Sequence, residues 1–171
     1  MHVIGCDIHA HLELVDQPAL HVARFQMPRN YGLFSLLAGV RYDPQEMPGF
    51  DPLYESRGLP PGISAAVFEA CTYAIDDELA ALEVDGYCSR DAAERWIGNG
   101  NAVCCDPSQE CVTDPDWHSA SWLTGKELEA IHKRYQQLTG ERDAWLDAII
   151  GAMHAFTKHQ WQNRLVFWFK G

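Results

Sequence analysis

The first strand-like segment of the chain, residues 4–14, alternates apolar residues with histidines and carboxylates. Successive side chains of an extended strand point to opposite faces, so one face carries Asp7, His9, His11 and Glu13. The other face is apolar and carries Ile4, Cys6, Ile8, Ala10, Leu12 and Leu14. Imidazole and carboxylate groups together suit zinc, manganese, iron or nickel. The pattern therefore predicts a metal held by the two histidines, with the two carboxylates as catalytic groups beside it.

Two other interpretations of this polar face stay open. A sheet that is covered on one side only shows the same alternation without any function. The polar side chains can also form a hydrogen-bonded cluster that holds no metal. Asp is depleted in strands, however, and Asp7-x-His9-x-His11 is an unusual way to fill a hydrated pleat. This argument favours the metal site.

One further histidine and three arginines are candidates to complete such a site. His118 is the predicted third metal ligand, because the run Trp117–Leu123 is typical of an extended, partly buried segment. Arg29, Arg41 and Arg57 lie in and beside a long segment rich in proline and glycine. Guanidinium groups suit phosphate and carboxylate, although a surface salt bridge explains any single arginine equally well. Together these residues predict a small phosphorylated or nucleotide-like ligand.

Two classes of function follow from these residues. A metal-bound water attacks a phosphoester near neutral pH, so the first hypothesis is a metal-dependent hydrolase with zinc or manganese as its metal. The second is a non-enzymatic accessory protein that binds a host protein or sequesters a small anionic ligand, its histidines being structural. An iron-dependent oxygenase with two histidines and one carboxylate is a weaker third, because its usual barrel needs more strands than this chain supplies.

Composition limits the partners. The 171 residues are 47% hydrophobic and carry a net charge of −11, which predicts one domain over residues 1–171 with a single core. Such an acidic chain is poorly suited to nucleic acid backbones and to anionic membrane surfaces. No basic region followed by an apolar run opens the sequence, and no apolar run approaches 18 residues, so we expect a cytoplasmic protein.

Six cysteines are distributed unevenly along the chain. Cys6 and Cys71 fall on apolar faces and are typical of small core residues. The other four lie in the loop-rich middle, partly in a predicted loop over residues 98–116: Cys88, Cys104, Cys105 and Cys111. Their spacing lacks the paired C-x2-C pattern of zinc knuckles, so we expect thiols there, with a structural zinc as the alternative.

Periodicity and capping residues predict an α+β fold. A second strand over residues 20–26 forms an antiparallel hairpin with the first, and His21 and Arg24 then lie on its opposite faces. Which of them joins the histidines depends on a register that the sequence does not define. An apolar strand over residues 164–169 is predicted to lie inside the sheet beside the first strand.

Helices are predicted to pack on this small, mostly antiparallel sheet. Asn30 caps a short helix that ends at Gly39, and a Pro/Gly-rich flap follows over residues 41–62. The remaining predicted helices run over residues 64–82, from a cap at Ser89 to Trp96, from a Thr124–Glu127 capping box to Gly140, and from there to about His159.

Several segments resemble a group of short, uncharacterised phage and prophage proteins. These segments are Gly5-Cys6-Asp7-Ile8-His9-Ala10-His11, the run 31–41, Arg57-Gly58-Leu59-Pro60, the run 118–123 and the terminal Phe167-Trp168-Phe169. The resemblance implies a phage or mobile-element origin and a host-cytosol location, and it brings no activity with it. Asn30 and Lys170 depart from the acidic residues that the group has at these positions.

The Asp7-x-His9-x-His11 motif also resembles the first-strand metal motif of amidohydrolase and polymerase-histidinol-phosphatase-type barrels, whose two histidines bind a catalytic divalent metal. Those barrels need roughly 200–250 residues, more than this chain contains. The similarity is therefore local to the first strand.

Overall fold

The computed structural model describes residues 5–105 and 110–171. Ile4 of the predicted first strand and residues 106–109 of the predicted cysteine-containing loop lie outside these ranges. In chain order the elements are β1 (Asp7–Leu14), β2 (Leu20–Phe25), α1 (Tyr31–Ala38), α2 (Ala65–Cys71), β3 (Thr72–Ile75), α3 (Asp77–Ala81), β4 (Tyr87–Cys88), α4 (Arg90–Gly98), β5 (Cys111–Thr113), β6 (Trp117–Leu123), α5 (Gly125–Thr139), α6 (Ala144–Lys158) and β7 (Asn163–Lys170).

The chain separates into two compact units. The first unit contains the described residues of Met1–Ser64 together with His118–Gly171, and the second contains those of Ala65–Trp117. The prediction of one domain over residues 1–171 stays a prediction. None of the helices in the described ranges has both the length and the apolar composition needed to cross a membrane.

A four-stranded sheet in the order β2-β1-β7-β6 forms the centre of the first unit. β1 is antiparallel both to β2 and to β7, which lies beside it along its whole length. Every residue of β7 from Arg164 to Phe169 is buried. These features confirm the predicted α+β class, the N-terminal hairpin and the interior C-terminal strand.

The apolar face of this sheet carries the core of the first unit. Ile8, Ala10 and Leu12 of β1 cluster with apolar residues of β7 and of the helices α1, α5 and α6: Leu33, Phe34, Leu36, Leu37, Leu128, Ile131, Leu146, Ile149, Met153, Leu165, Phe167 and Phe169. Burial of this apolar area is the main stabilising contribution to the unit. The strand alternation in the sequence therefore correctly identifies the core side.

Local capping sets the ends of the helices that cover this face. Asn30 accepts a hydrogen bond from Leu33 N, and Gly39 ends α1 in the left-handed conformation, with φ +69°. The Thr124–Glu127 capping box begins α5 as predicted. In α6, Leu146 is buried, whereas Trp145 is 38% exposed.

The Pro/Gly-rich flap over residues 41–62 packs against the core of the first unit. Phe50 and Tyr54 contact the core cluster, whereas Leu53 remains 39% exposed. Tyr42 donates its hydroxyl hydrogen to Asp51 at 2.6 Å. The flap is therefore held by two aromatic anchors and an internal hydrogen bond.

The second unit shows that the helix predicted over residues 64–82 was wrong. Strand β3 separates α2 from α3, and it pairs with β4 in parallel and with β5 in antiparallel register. Thr72, Tyr73 and Ile75 are β-branched or aromatic and suit a strand, while Asp76 caps a new helix. β5 adds a short strand within the segment predicted as loop. The six cysteines all lie in the described ranges, and none of them is in a disulfide bond there.

Candidate functional site

A β-bulge in the hairpin determines which side chains join the polar face of β1. Leu12 pairs with Ala23, but the next residue, Glu13, pairs with His21, so Val22 is an extra residue in β2. An extra residue in a strand shifts its side-chain alternation by one position. His21 and Arg24, which are three residues apart, therefore emerge on the same face of the sheet.

The bulge brings both polar side chains of β2 to the histidines of β1. His21 Nε2 lies 3.0 Å from His11 Nδ1, and Arg24 Nη2 donates to His9 Nδ1 at 3.4 Å. The expectation that His21 and Arg24 lie on opposite faces was wrong for this reason. His9, His11 and His21 thus share the polar face with the Arg24 guanidinium.

Trp168 of β7 stacks on both histidines of β1. The ring of His9 lies 5.6 Å from the indole at an interplanar angle of 4°, and the ring of His11 lies 5.1 Å from it at 9°. Only 3% of His11 is exposed, and burial lowers its pKa to about 4, helped by the charges of His21, Arg24 and His9. His11 is therefore neutral at pH 7. Its Nε2 has no hydrogen-bond partner among the described residues.

Glu13, a predicted catalytic carboxylate, is fully buried and bonded through both oxygens. Arg164 Nε donates to Oε2 at 3.0 Å, and the backbone N–H of Ser64 donates to Oε1 at 2.7 Å. The same guanidinium donates to the carbonyl oxygens of Pro61 and Gly62. Glu13 therefore connects β1 to the end of the flap.

Asp7, the other predicted catalytic carboxylate, forms a two-bond ion pair with Arg29. Nε donates to Oδ1 at 2.6 Å and Nη2 donates to Oδ2 at 3.1 Å. This pairing lowers the pKa of Asp7, and both side chains are about half exposed. The guanidinium lies over Gly5, where a Cβ atom would come within 1.8 Å of Nη1. A side chain at position 5 would displace Arg29.

His118, the predicted third metal ligand, lies on the apolar face of the sheet. Its Nε2 is 3.8 Å from Cys6 Sγ, and its ring stacks on Phe169 at 6.1 Å. His9 and His11 emerge on the opposite face. The structure therefore does not bring His118 together with them.

Three of the predicted site residues, Asp7, Arg29 and His118, lie at the beginning of β1 beside Cys6. Burial and the positive charge of Arg41 lower the pKa of His118, and the charge of Arg41 also acts on the Cys6 thiol. Arg29 and Asp7 also act on the Cys6 thiol, whose pKa is raised because burial outweighs the two arginines. We call this group the β1-end cluster: Cys6, Asp7, Arg29, Arg41 and His118. Sequence reasoning treated Cys6 as core only and missed its place here.

Arg57, the third predicted ligand-binding arginine, is held by the body of the first unit. Its guanidinium forms two hydrogen bonds to Glu127, at 3.0 and 2.5 Å, and lies 4.9 Å from the ring centre of Trp122. It also donates to the backbone oxygen of Trp122. Arg57 therefore fastens the flap to the start of α5.

A groove of about 820 Å³ also opens in the first unit. Two tryptophans, Trp122 and Trp161, line it together with His154 and Lys126. None of the predicted site residues is among its lining residues.

The geometry does not assemble the predicted metal centre. Over 5–105 and 110–171, no three His, Cys, Asp or Glu side chains are grouped closely enough to hold a metal ion. Within these ranges, neither the histidines of β1 nor the cysteines of the second unit belong to such a group. Comparison with family models, with curated proteins and with solved structures gives no match to this chain.

Proposed function

We propose that the protein binds a small anionic ligand, one that carries phosphate or carboxylate groups, at the β1-end cluster. The observation that carries the proposal is that the Arg29 guanidinium lies against Gly5, beside Cys6, whose sulfur is 3.8 Å from His118 Nε2. The charge of a second guanidinium, Arg41, acts on both Cys6 and His118. Guanidinium groups recognise phosphate and carboxylate oxygens through paired hydrogen bonds. An exposed imidazole, His118, adds a further polar group at this position.

Local charge and backbone geometry support the same proposal. The chain carries a net charge of −11, yet two cationic residues flank Asp7, since Lys170 lies opposite it in the sheet register and Arg29 pairs with it. Arg41 has φ +60°, a left-handed backbone conformation that residues other than glycine rarely adopt. Backbone strain of this kind concentrates at ligand-binding and catalytic positions.

Thermal unfolding with inorganic phosphate, pyrophosphate and citrate tests this proposal. A ligand that binds only the folded state raises the melting temperature with concentration. We expect Arg41→Gln to weaken the binding about tenfold, because one charge-assisted contact is lost. Arg95→Gln on exposed α4 removes the same charge far from β1 in sequence and is the matched control. Equal losses in the two variants, or no ligand effect at all, would contradict the proposal.

A metal-dependent phosphoester hydrolase is the second candidate, and one observation favours it. His11 Nδ1 and His21 Nε2 are 3.0 Å apart, close to the separation of roughly 3 Å between two nitrogen ligands of one zinc ion. His11 is neutral at pH 7, which is the protonation state that metal binding requires. The positive charge of nearby Arg24 opposes the binding of a metal cation at these two histidines.

Elemental analysis of the purified protein separates the two candidates. Stoichiometric zinc or manganese that is lost in His21→Ala but kept in His159→Ala, a change at an exposed histidine, would support the hydrolase. Turnover of a phosphoester panel should then require that metal. Anion binding without metal and without turnover would support an accessory protein that sequesters a small ligand.

A further inference from the structure

Cys6 and His118 are arranged as a nucleophile and a base. His118 Nε2 lies 3.8 Å from Cys6 Sγ, and His118 Nδ1 lies 3.0 Å from Ser119 Oγ. In the tautomer with hydrogen on Nδ1, the imidazole donates to Ser119 and its Nε2 accepts from the thiol. A nucleophile bonded to a base that a third group orients is the arrangement shared by thiol and serine acyl-transfer enzymes.

Ser119, the third group, lies in a backbone conformation that is rare for residues other than glycine. Ser119 has φ +54°, in the left-handed region that favours glycine and asparagine. The residues that follow are fixed by the flap, because Gly58 N donates to Ala120 O at 3.0 Å and Arg57 N donates to Ser121 Oγ at 3.1 Å. The flap thus supports the strained segment that carries Ser119.

The surroundings give the pair one buried member and one accessible member. Cys6 is 2% exposed and belongs to the core cluster, whereas His118 is exposed and stacks on Phe169. The charge of Arg41 acts on both groups.

We propose that Cys6 is the nucleophile of an acyl transfer from a small anionic ester, with His118 as its base and Ser119 as a positioning residue. The proposal rests on the anion site proposed above and adds a reaction to it. His118 Nε2 takes the thiol proton as the sulfur bonds to the carbonyl carbon, and it returns that proton to the departing alcohol oxygen. Water then gives a proton to His118 and attacks the thioester, and the released thiolate takes that proton back.

The alternative is that Cys6 only fills space in the core, as the sequence pattern suggests. Alkylation of the native protein, mapped by peptide mass spectrometry, separates the two roles without any variant. We expect iodoacetate to modify Cys6 at least about tenfold faster than Cys71, which is also buried but whose thiol donates to the backbone oxygen of Phe68. We also expect the anionic iodoacetate to outpace neutral iodoacetamide at Cys6 and not at exposed Cys104.

Variants test the roles of the neighbours. His118→Asn should slow labelling of Cys6 about tenfold and leave Cys104 unchanged, because it removes the base alone. Ser119→Ala should slow it less and shift its pH profile, which a purely structural effect would not do. Arg41→Gln should abolish the preference for iodoacetate, and Arg95→Gln should keep it.

An ester probe tests the reaction itself. Mono-4-nitrophenyl succinate should give a burst of one nitrophenolate per chain that Cys6→Ser abolishes, whereas neutral 4-nitrophenyl acetate should react more slowly. Labelling of Cys6 no faster than that of Cys71 would overturn the nucleophile assignment, even if phosphate binding depends on Arg41. A fast reaction without any anion preference would overturn the substrate class, and with it the proposed binding site.

Discussion

Glu13 and Arg164 face each other across β1 and β7 and form an ion pair in which Glu13 is 0% and Arg164 is 6% exposed. Together they bond to backbone groups of Pro61, Gly62 and Ser64 at the end of the flap. Every hydrogen bond in this group has at least one charged partner, and such bonds are stronger than neutral ones. The polar face of β1 therefore ends in a structural anchor.

This pair gives the first prediction. Glu13→Ala should reduce the free energy of unfolding by about 3–5 kcal/mol, because it leaves the Arg164 guanidinium buried without its partner. Urea unfolding measures the change. Glu129→Ala is the control, since Glu129 pairs with His154 at an exposed position and should cost less than about 1 kcal/mol. A catalytic role for Glu13 would show as lost activity at unchanged stability, contrary to this expectation.

The sequence predicts the parts of the fold that depend on neighbouring residues. Asn30 and Thr124 sit next to the helices they begin, and the alternation over β1 directly defines its buried face. The helix predicted over 64–82 failed because the pairing of β3 with Cys111–Thr113 is made by residues far along the chain. Tertiary pairing overrides an apolar stripe at helical spacing.

The candidate site was less predictable for a similar reason. His21 reaches His11 only because Val22 bulges, and no local signal in the sequence marks that bulge. His118 was correctly placed on a strand, but the face on which it lies depends on how that strand enters the sheet. Cys6 follows the apolar alternation and so looked like core, although its sulfur also meets an imidazole.

The Arg57–Glu127 pair predicts a change of stability in acid. Hydrogen bonds from Arg57, together with those of the capping box, lower the pKa of Glu127 to about 2. A carboxylate with a lowered pKa stabilises the fold fully above its unfolded pKa, and this contribution is lost as the pH falls toward the folded value. Wild type should therefore lose about 2–3 kcal/mol between pH 5 and pH 2 relative to Glu127→Gln. If the free energies of unfolding of the two proteins changed equally with pH over this range, the result would contradict the pairing.

His132 predicts a defined tautomer in the helical hairpin. The backbone N–H of Asp143 donates to His132 Nε2 at 3.1 Å, so the neutral ring must carry its hydrogen on Nδ1, 3.5 Å from Asp147 Oδ1. Nitrogen chemical shifts measured by NMR should identify this form. His132→Ala should cost about 1–3 kcal/mol, because the ring is buried and the backbone N–H of Asp143, the N-cap residue of α6, loses its acceptor. His154→Ala, at a 42% exposed side chain, is the matched control.

His11 gives the last prediction, which also concerns the site. Burial lowers its pKa to about 4. Between pH 6.5 and pH 4, His11 is therefore protonated in the unfolded chain and neutral in the folded protein. Stability should therefore fall as the pH drops from about 6.5 to 4, by up to about 3 kcal/mol from this residue. His11→Phe removes that dependence, and subtracting the two unfolding curves cancels the titration of all other groups.

The same variant shows whether His11 Nε2 is satisfied by something outside the protein chain. With no partner among the described atoms, this nitrogen costs about 1–3 kcal/mol, so His11→Phe should leave the stability at pH 7 equal or higher. In this variant the exposed His21 loses its partner His11 and can bond to water instead. A different outcome would place a metal ion on this histidine. In that case His11→Phe would be markedly less stable than wild type, a chelator would destabilise wild type, and added zinc would restore its stability.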